Sequence, residues 1–305
     1  MRVSAVLVAL AALPGAALGQ QVPDTLFRPA VGSPAYRAGS GPVVLLDEGH
    51  HDFHTLDGRY LPFGRLLEAD GYSVRPLRSR FTAASLAPAK VLVIANAIAA
   101  ENETRWSLPT PSAFDPAEIE AIARWVEGGG AVLLIADHMP FGGAAEALAA
   151  RLGARFSNGF AMDSAAMKGL IRYRRSDGSL GSHPITSGRS PGERVDSITS
   201  FTGQAFELTR PGTALMTVPA GVVLWLPSEA WKFAKDTPRR PAGGLLQGAV
   251  LEMGRGRVAL FGEAAMFSAQ LGGPRQIPMG MNSPQAPQNG QFVLNVLHWL
   301  TRLEP

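Results

Sequence analysis

The chain contains no cysteine. That absence excludes disulfide bridges, a lipid-modified amino-terminal cysteine and a thiol nucleophile. Also missing is any tract of basic residues interleaved with aromatics. Lys and Arg number 28 against 25 Asp and Glu, a formal net charge of only +3, so nucleic acid is not an expected partner. No H-E-x-x-H pair, no HPDD run and no G-x-S-x-G elbow occurs, which removes the best-marked metalloprotease, zinc-deacetylase and serine-hydrolase signatures. Ser200, in "ITSFTGQAF", has no local sign of activation. Gly128-Gly129-Gly130 precedes an apolar run instead of following one, so it is a turn and not a phosphate cradle. There are no repeats and no heptads.

Long apolar runs are scarce as well. One stands at the start, "MRVSAVLVALAALPGAALGQQ", with a single charge at Arg2 and an apolar stretch from Val3 to about Ala17. Ala17 and Gly19 fit the −3 and −1 places of a cleavage site, so residues 1–19 are expected to be a secretory signal peptide. The run is short for a membrane anchor, and no other approaches spanning length. The expected product is an exported protein, periplasmic or extracellular, with no stable membrane insertion after cleavage. At 46% hydrophobic, its core must hold it without disulfides.

Residues 20–41 are rich in Pro, Gly and Ser and read as an extended arm; residues 42–305 read as one domain. "GPVVLLDEGH", "YSVRPL", "KVLVIANAI" and "AVLLIADHM" are short apolar runs. Three of the four are continuous rather than alternating, as in strands buried on both faces of a parallel sheet. Between them lie helical patterns. One carries Leu61, Phe63, Leu66 and Leu67 and stops at Gly71. A second begins at Asp115, with Pro116 at the first helical position and Glu118 at capping-box spacing. "GGAAEALAARLGARF" is a third, and "QFVLNVLHWLTRLE" closes the chain. The alternation predicts an α/β fold with a doubly wound, mainly parallel sheet. The irregular stretch at about 171–245 reads as an insertion. A hairpin is expected through Gly254-Arg255-Gly256.

What is abundant locally is histidine. "DEGHHDFH", residues 47–54, holds three of the six histidines. The apolar runs end in polar residues: Asp47, Glu48 and His50; Asn96; Asp137 and His138; Glu263. In an open parallel sheet these ends share one edge, where ligands bind. Asp47, Glu48, His50, Asp137, His138 and Glu263 are therefore the candidate catalytic residues. Imidazole with carboxylate also suits a divalent metal, zinc first, with His50, His51, His54, Asp137 and His183 as candidate ligands. The same groups could equally act without metal as acid and base. Plainer readings stand beside these. Asp137 could cap a following helix, His183 before Pro184 could be a turn residue, and Glu263 a solvated strand end. His298 reads as a packing or surface residue. Trp106, Trp225 and Trp231 could stack on sugar rings or simply pack.

"LLIADHMPFGGAAEALAARLGARF" resembles the strand, turn and helix at the nucleophile position of class I glutamine-amidotransferase-like domains, with Asp137-His138 where that family has its cysteine. "HPITSGR" resembles a segment of non-amidotransferase branches, including trehalose-utilisation-like proteins. "DEGHHDFHTLDGRYLPFGRLLEADGYSV" is similar to the opening of an uncharacterised bacterial branch related to gliding-motility and intraflagellar-transport domains. The likeness spans about residues 42–170 and 245–304. It implies a flavodoxin-like sheet with its site at the carboxyl edge, and relatives that process or bind sugars. It does not imply glutamine hydrolysis, because the cysteine is missing. The expected function is a hydrolase of small-molecule or carbohydrate substrate; the alternatives are a non-catalytic carbohydrate- or ligand-binding module of the cell envelope, or a scaffold with a degenerate edge.

Overall fold

Residues 21–163 and 169–303 are described in the computed structural model. The expected signal peptide, 1–19, lies outside the described residues.

Nine strands form the main sheet: β1 (Val43–Asp47), β2 (Ser73–Leu77), β3 (Val91–Ala95), β4 (Ala131–Ile135), β5 (Ala154–Phe156), β6 (Phe206–Leu208), β7 (Thr213–Thr217), β8 (Leu246–Met253) and β9 (Gly256–Phe261). Their order is β2-β1-β3-β4-β9-β8-β6-β5, and β7 also pairs with β8. Successive residues of the central strands point to opposite layers. Val44, Leu46, Val93, Leu133 and Phe261 pack on one side, against Phe63 and Leu67 of helix α1 (Leu61–Ala69) and Phe292 and Val296 of helix α4 (Asn289–Leu300). Leu45, Leu92, Ile94, Leu134 and Leu260 pack on the other, against Ile122 and Val126 of α2 (Pro116–Glu127) and Leu148 and Leu152 of α3 (Glu146–Leu152). Burial on both faces explains the continuous apolar runs.

The expectation of a doubly wound, mainly parallel sheet is overturned. The pairings β1–β2, β1–β3, β3–β4 and β4–β9 are parallel. The other four, β8–β9, β7–β8, β6–β8 and β5–β6, are antiparallel. All pairings in the three smaller sheets are antiparallel too. Strand exceeds helix, 28% against 23%. The architecture is a mixed sheet with antiparallel additions. The cause lies in the hairpin β8–β9, which reverses the chain and presents an antiparallel edge on which β6 and β7 can pair. The stretch read as an irregular insertion supplies those strands, together with Ile171–Arg174 paired to Ser197–Ser200 and Val222–Trp225 paired to both Phe160–Asp163 and Arg239–Pro241. Each is only three to five residues long, too short for an alternation signal to stand out.

The arm is not wholly free. Val22–Pro23 pairs with Ala269–Gly272, which pairs in turn with Ile277–Gly280. Among the described residues no helix is long and apolar enough to cross a membrane.

Candidate functional site

The polar groups at the carboxyl ends of the parallel strands fall into two clusters that line different cavities. The first gathers around His50, beyond β1. Its Nδ1 lies 2.9 Å from both Asp47 carboxylate oxygens, and its Nε2 lies 3.0 Å from Glu118 Oε1. The ring stacks on Phe81 at 4.5 Å. Glu118 serves two purposes. Its Oε2 accepts from the Asp115 N–H at 3.2 Å, completing the capping box of α2, while Oε1 also accepts from the Phe81 N–H at 3.1 Å. Arg80 closes the outer side, pairing with Asp115 and Glu118. Burial alone would lower the His50 imidazole, but the bonds to Asp47 and Glu118 outweigh it and its pKa is raised. Asp52 stands beside Asp47. Burial, and then the Asp47 charge, hold its carboxyl well above the ordinary carboxylate range. Its Oδ2 accepts from the His50 N–H at 3.0 Å; its Oδ1 is buried without a partner.

Asp47, His50 and Asp52 offer ligand atoms within 4.8 Å of one another, and this group could hold a metal ion. An ion would displace one of the two His50 contacts. A cavity of about 400 Å³ opens beside it, lined by His50, His51, Arg80, Phe114 and Glu118.

The second cluster lines a larger cavity, about 660 Å³. Its floor comes from the ends of β3 and β4. Asn96 follows β3 with φ of +59°, a left-handed turn that asparagine tolerates better than most residues. That turn sets its side chain between two neighbours: Oδ1 accepts from the Asp137 N–H at 2.9 Å, and Nδ2 donates to His54 Nε2 at 3.2 Å. Asp137 Oδ1 accepts from the His138 N–H at 2.7 Å. His138 Nδ1 lies 2.6 Å from the Met139 carbonyl, which can only accept, so Nδ1 carries a hydrogen and, in the neutral ring, Nε2 keeps its lone pair. The His138 ring stacks on Phe160 at 4.4 Å and meets Trp231 edge-on at 4.7 Å. His54 stacks on Tyr60 at 4.5 Å. Burial, then the charge of Arg59, hold His54 well below its ordinary pKa, so it is neutral. Glu263 lies just behind the floor with no exposed surface. Its oxygens accept from the Ala265 and Met266 N–H groups at 2.8 and 2.9 Å. Burial, then the Asp137 charge, hold its carboxyl well above the usual range. Phe53, Trp106, Phe141 and Trp231 form aromatic walls, and Arg59 sits among them.

The sequence candidates are therefore divided. Asp137, His138 and Glu263 come together, with His54; Asp47 and His50 form the other group. Glu48 lies with neither set of reacting groups: it accepts from the Leu56 N–H at 2.8 Å, pairs with Arg78 at 2.8 Å, and so pins the 48–56 loop. His51 is half-exposed and pairs with Glu103 at 3.2 Å. His183 caps the short helix Pro184–Ser187, its Nδ1 accepting from the Ile185 N–H at 3.2 Å, and it meets Trp299 of α4 edge-on. The five candidate ligands His50, His51, His54, Asp137 and His183 are not gathered at one point. His298 is buried and paired with Asp70 at 2.7 Å. Trp225 is buried behind the cavity wall, packed on Phe233 and Arg239. Sequence reasoning did not single out Asp52, Arg59 or Glu118 for the site. Asp52 stood in the quoted run without being chosen, and Glu118 was read as a cap alone.

Comparisons with known proteins bear on the fold. The mmIFT52 N-terminal domain superposes with a TM-score of 0.55 at 15% identity, covering 85% of this chain and 97% of that one. A cytoplasmic protein, STM1381 of Salmonella typhimurium LT2, gives 0.49 at 14% identity over 85% and 98%, and a putative ThuA-like protein from Bacteroides uniformis gives 0.46 at 12% over 89% and 94%. The first shows a shared fold; the other two are too distant to carry an argument. No protein-family model and no curated protein matches the chain.

Proposed function

We propose that the protein is an exported hydrolase of a carbohydrate-class substrate, working in the aromatic cavity with Asp137 and His138 as its reacting groups. The observation that carries this reading is the pairing, in one cavity, of an imidazole whose Nε2 lone pair is left open with a neighbouring carboxylate, between tryptophan walls suited to the apolar faces of sugar rings. A water held by Asp137 would give its proton to His138 Nε2 and its hydroxyl to the substrate carbon. The imidazolium would then return the proton to the leaving oxygen. Asn96 and Glu263 would position these groups without touching substrate. Screening the mature protein against glycosides and acetylated sugars, with and without divalent metal, tests the proposal; no turnover of either class in both conditions overturns it.

A second reading, a non-catalytic binding module, is favoured by one observation. Both Glu263 oxygens, and both polar ends of the Asn96 side chain, are already committed to bonds within the fold. Glycan retention without turnover would select it. Under either reading Trp231→Ala should weaken binding about 2- to 10-fold, corresponding to about 0.5–1.5 kcal/mol for one aromatic contact. Trp231 is 37% exposed and packs on His138 and Phe160, so a modest fall in melting temperature should accompany the binding loss. Isothermal titration of both forms checks this.

A metal belongs to the other cluster in this proposal. Zinc added to chelator-treated protein should bind at Asp47, His50 and Asp52, release protons, and bind more tightly as pH rises. Titration in two buffers of different ionisation heat reads the proton release. Unchanged zinc uptake in Asp52→Asn would place the ion elsewhere.

A further inference from the structure

Among the described residues no anion pairs with the cation of Arg59. Its Nε donates to the Gln21 carbonyl at 2.9 Å, and one Nη1 hydrogen to the Phe53 carbonyl at 3.3 Å. Its guanidinium lies 3.8 Å over the Phe53 ring. These contacts fix the group in place but leave Nη2 with no partner among the described residues. Three of the other half-buried arginines close on carboxylates: Arg151 on Glu120, Arg175 on Asp196, Arg189 on Glu193. At Arg59 there is no such closure. Burial pulls its guanidinium below the ordinary value, and among the described residues it forms no ion pair with a carboxylate. The neighbouring His54 does not compete for an anion by charge, because it is neutral. Its buried Nδ1 also lacks a partner. A partly desolvated, immobilised and unpaired guanidinium facing a ligand-sized cavity is costly unless something anionic arrives.

We infer that the cavity's ligand is an anionic sugar, a uronic acid residue, whose carboxylate is met by the Arg59 Nη2 hydrogens while its ring lies against the aromatic walls. This rests on the carbohydrate reading above and narrows it. The carboxylate would sit at the Phe53 end of the cavity, and the bond to be cut would lie toward Asp137 and His138. Acidic and neutral sugars of otherwise like shape should therefore differ sharply in affinity.

The test is calorimetric titration of the mature protein with glucuronate- and galacturonate-containing oligosaccharides, their neutral glucose and galactose counterparts, and a sulfated oligosaccharide. The uronates should bind at least tenfold more tightly than the neutral partners, and this margin should shrink as salt is raised. Arg59→Gln should abolish the margin, and Arg59→Lys should keep part of it. Far-UV circular dichroism and melting temperature establish that each variant is folded. Neutral sugars binding as well as uronates, in wild type and Arg59→Gln alike, would overturn this inference and leave the carbohydrate reading standing. Preference for the sulfated sugar over the uronate would overturn the carboxylate assignment. Retention of no sugar of any class would remove the carbohydrate reading and this inference with it.

Discussion

Asp137→Asn should lower hydrolysis by about 10²- to 10⁴-fold, the range for loss of a positioned acid–base group, while the protein stays folded. The substitution is nearly isosteric. The asparagine oxygen can still accept from the His138 N–H, which Asp137 Oδ1 meets at 2.7 Å. What disappears is the negative charge. That charge now helps push the buried Glu263 carboxyl upward, so its removal should bring Glu263 back toward its ordinary value and leave stability equal or higher. Activity and stability should therefore move apart. Steady-state kinetics beside thermal melts of the same preparation make the measurement. Full activity in Asp137→Asn would refute the catalytic reading.

His50→Leu should act on the opposite quantity. It leaves the Asp47 and Glu118 carboxylates buried without the imidazolium between them, a loss of about 3–5 kcal/mol. The melting temperature should drop by the order of 10 °C. The penalty has a pH signature. The folded His50 pKa is raised above 6.5, so its stabilisation is fully present below that value and is lost as pH rises through the higher folded value. The gap between wild type and His50→Leu, both metal-free, should be widest between about pH 5 and 6.5 and narrow above it. Glu118→Gln combined with His50→Leu should cost less than the two single losses added together, since the pair is directly coupled. A pH-independent gap would mean that packing against Phe81, not charge, accounts for His50.

The strands of the parallel half were legible because burial on both faces leaves a continuous apolar signature, as in Val43–Asp47 and Ala131–Ile135. Helix α2 was legible because Asp115, Pro116 and Glu118 carry its start in three residues. The antiparallel half was not. Phe206–Leu208 and Ala154–Phe156 are three residues each, and what makes them strands is an edge offered by β8 to the first and by the first to the second, not their own pattern. For the site, strand ends pointed to Asn96, Asp137 and His138, since a parallel sheet puts such ends on one side. The 47–54 run misled in a particular way. His50 and His54 are four residues apart, yet backbone bonds from Ile98 to His50 and from Phe53 to Asn96 pin the loop so that one ring faces Glu118 and the other Asn96. Local spacing could not reveal that division. Nor could it reveal Arg59, whose interest lies in what it fails to meet.

The seam between β4 and β9 bears on biosynthesis. Ala131–Ile135 pairs with Arg257–Phe261, more than a hundred positions later, and Glu263 follows directly. A nascent chain that has emerged as far as β4 therefore presents an uncovered, wholly apolar strand edge until the hairpin is translated. Throughout that interval Asp137 and His138 lack the wall behind them. A chain emerging amino end first thus brings out Asp137 and His138 early and their enclosure late, and the interval between is when association with other unfinished chains, or with a chaperone, competes most strongly with closure.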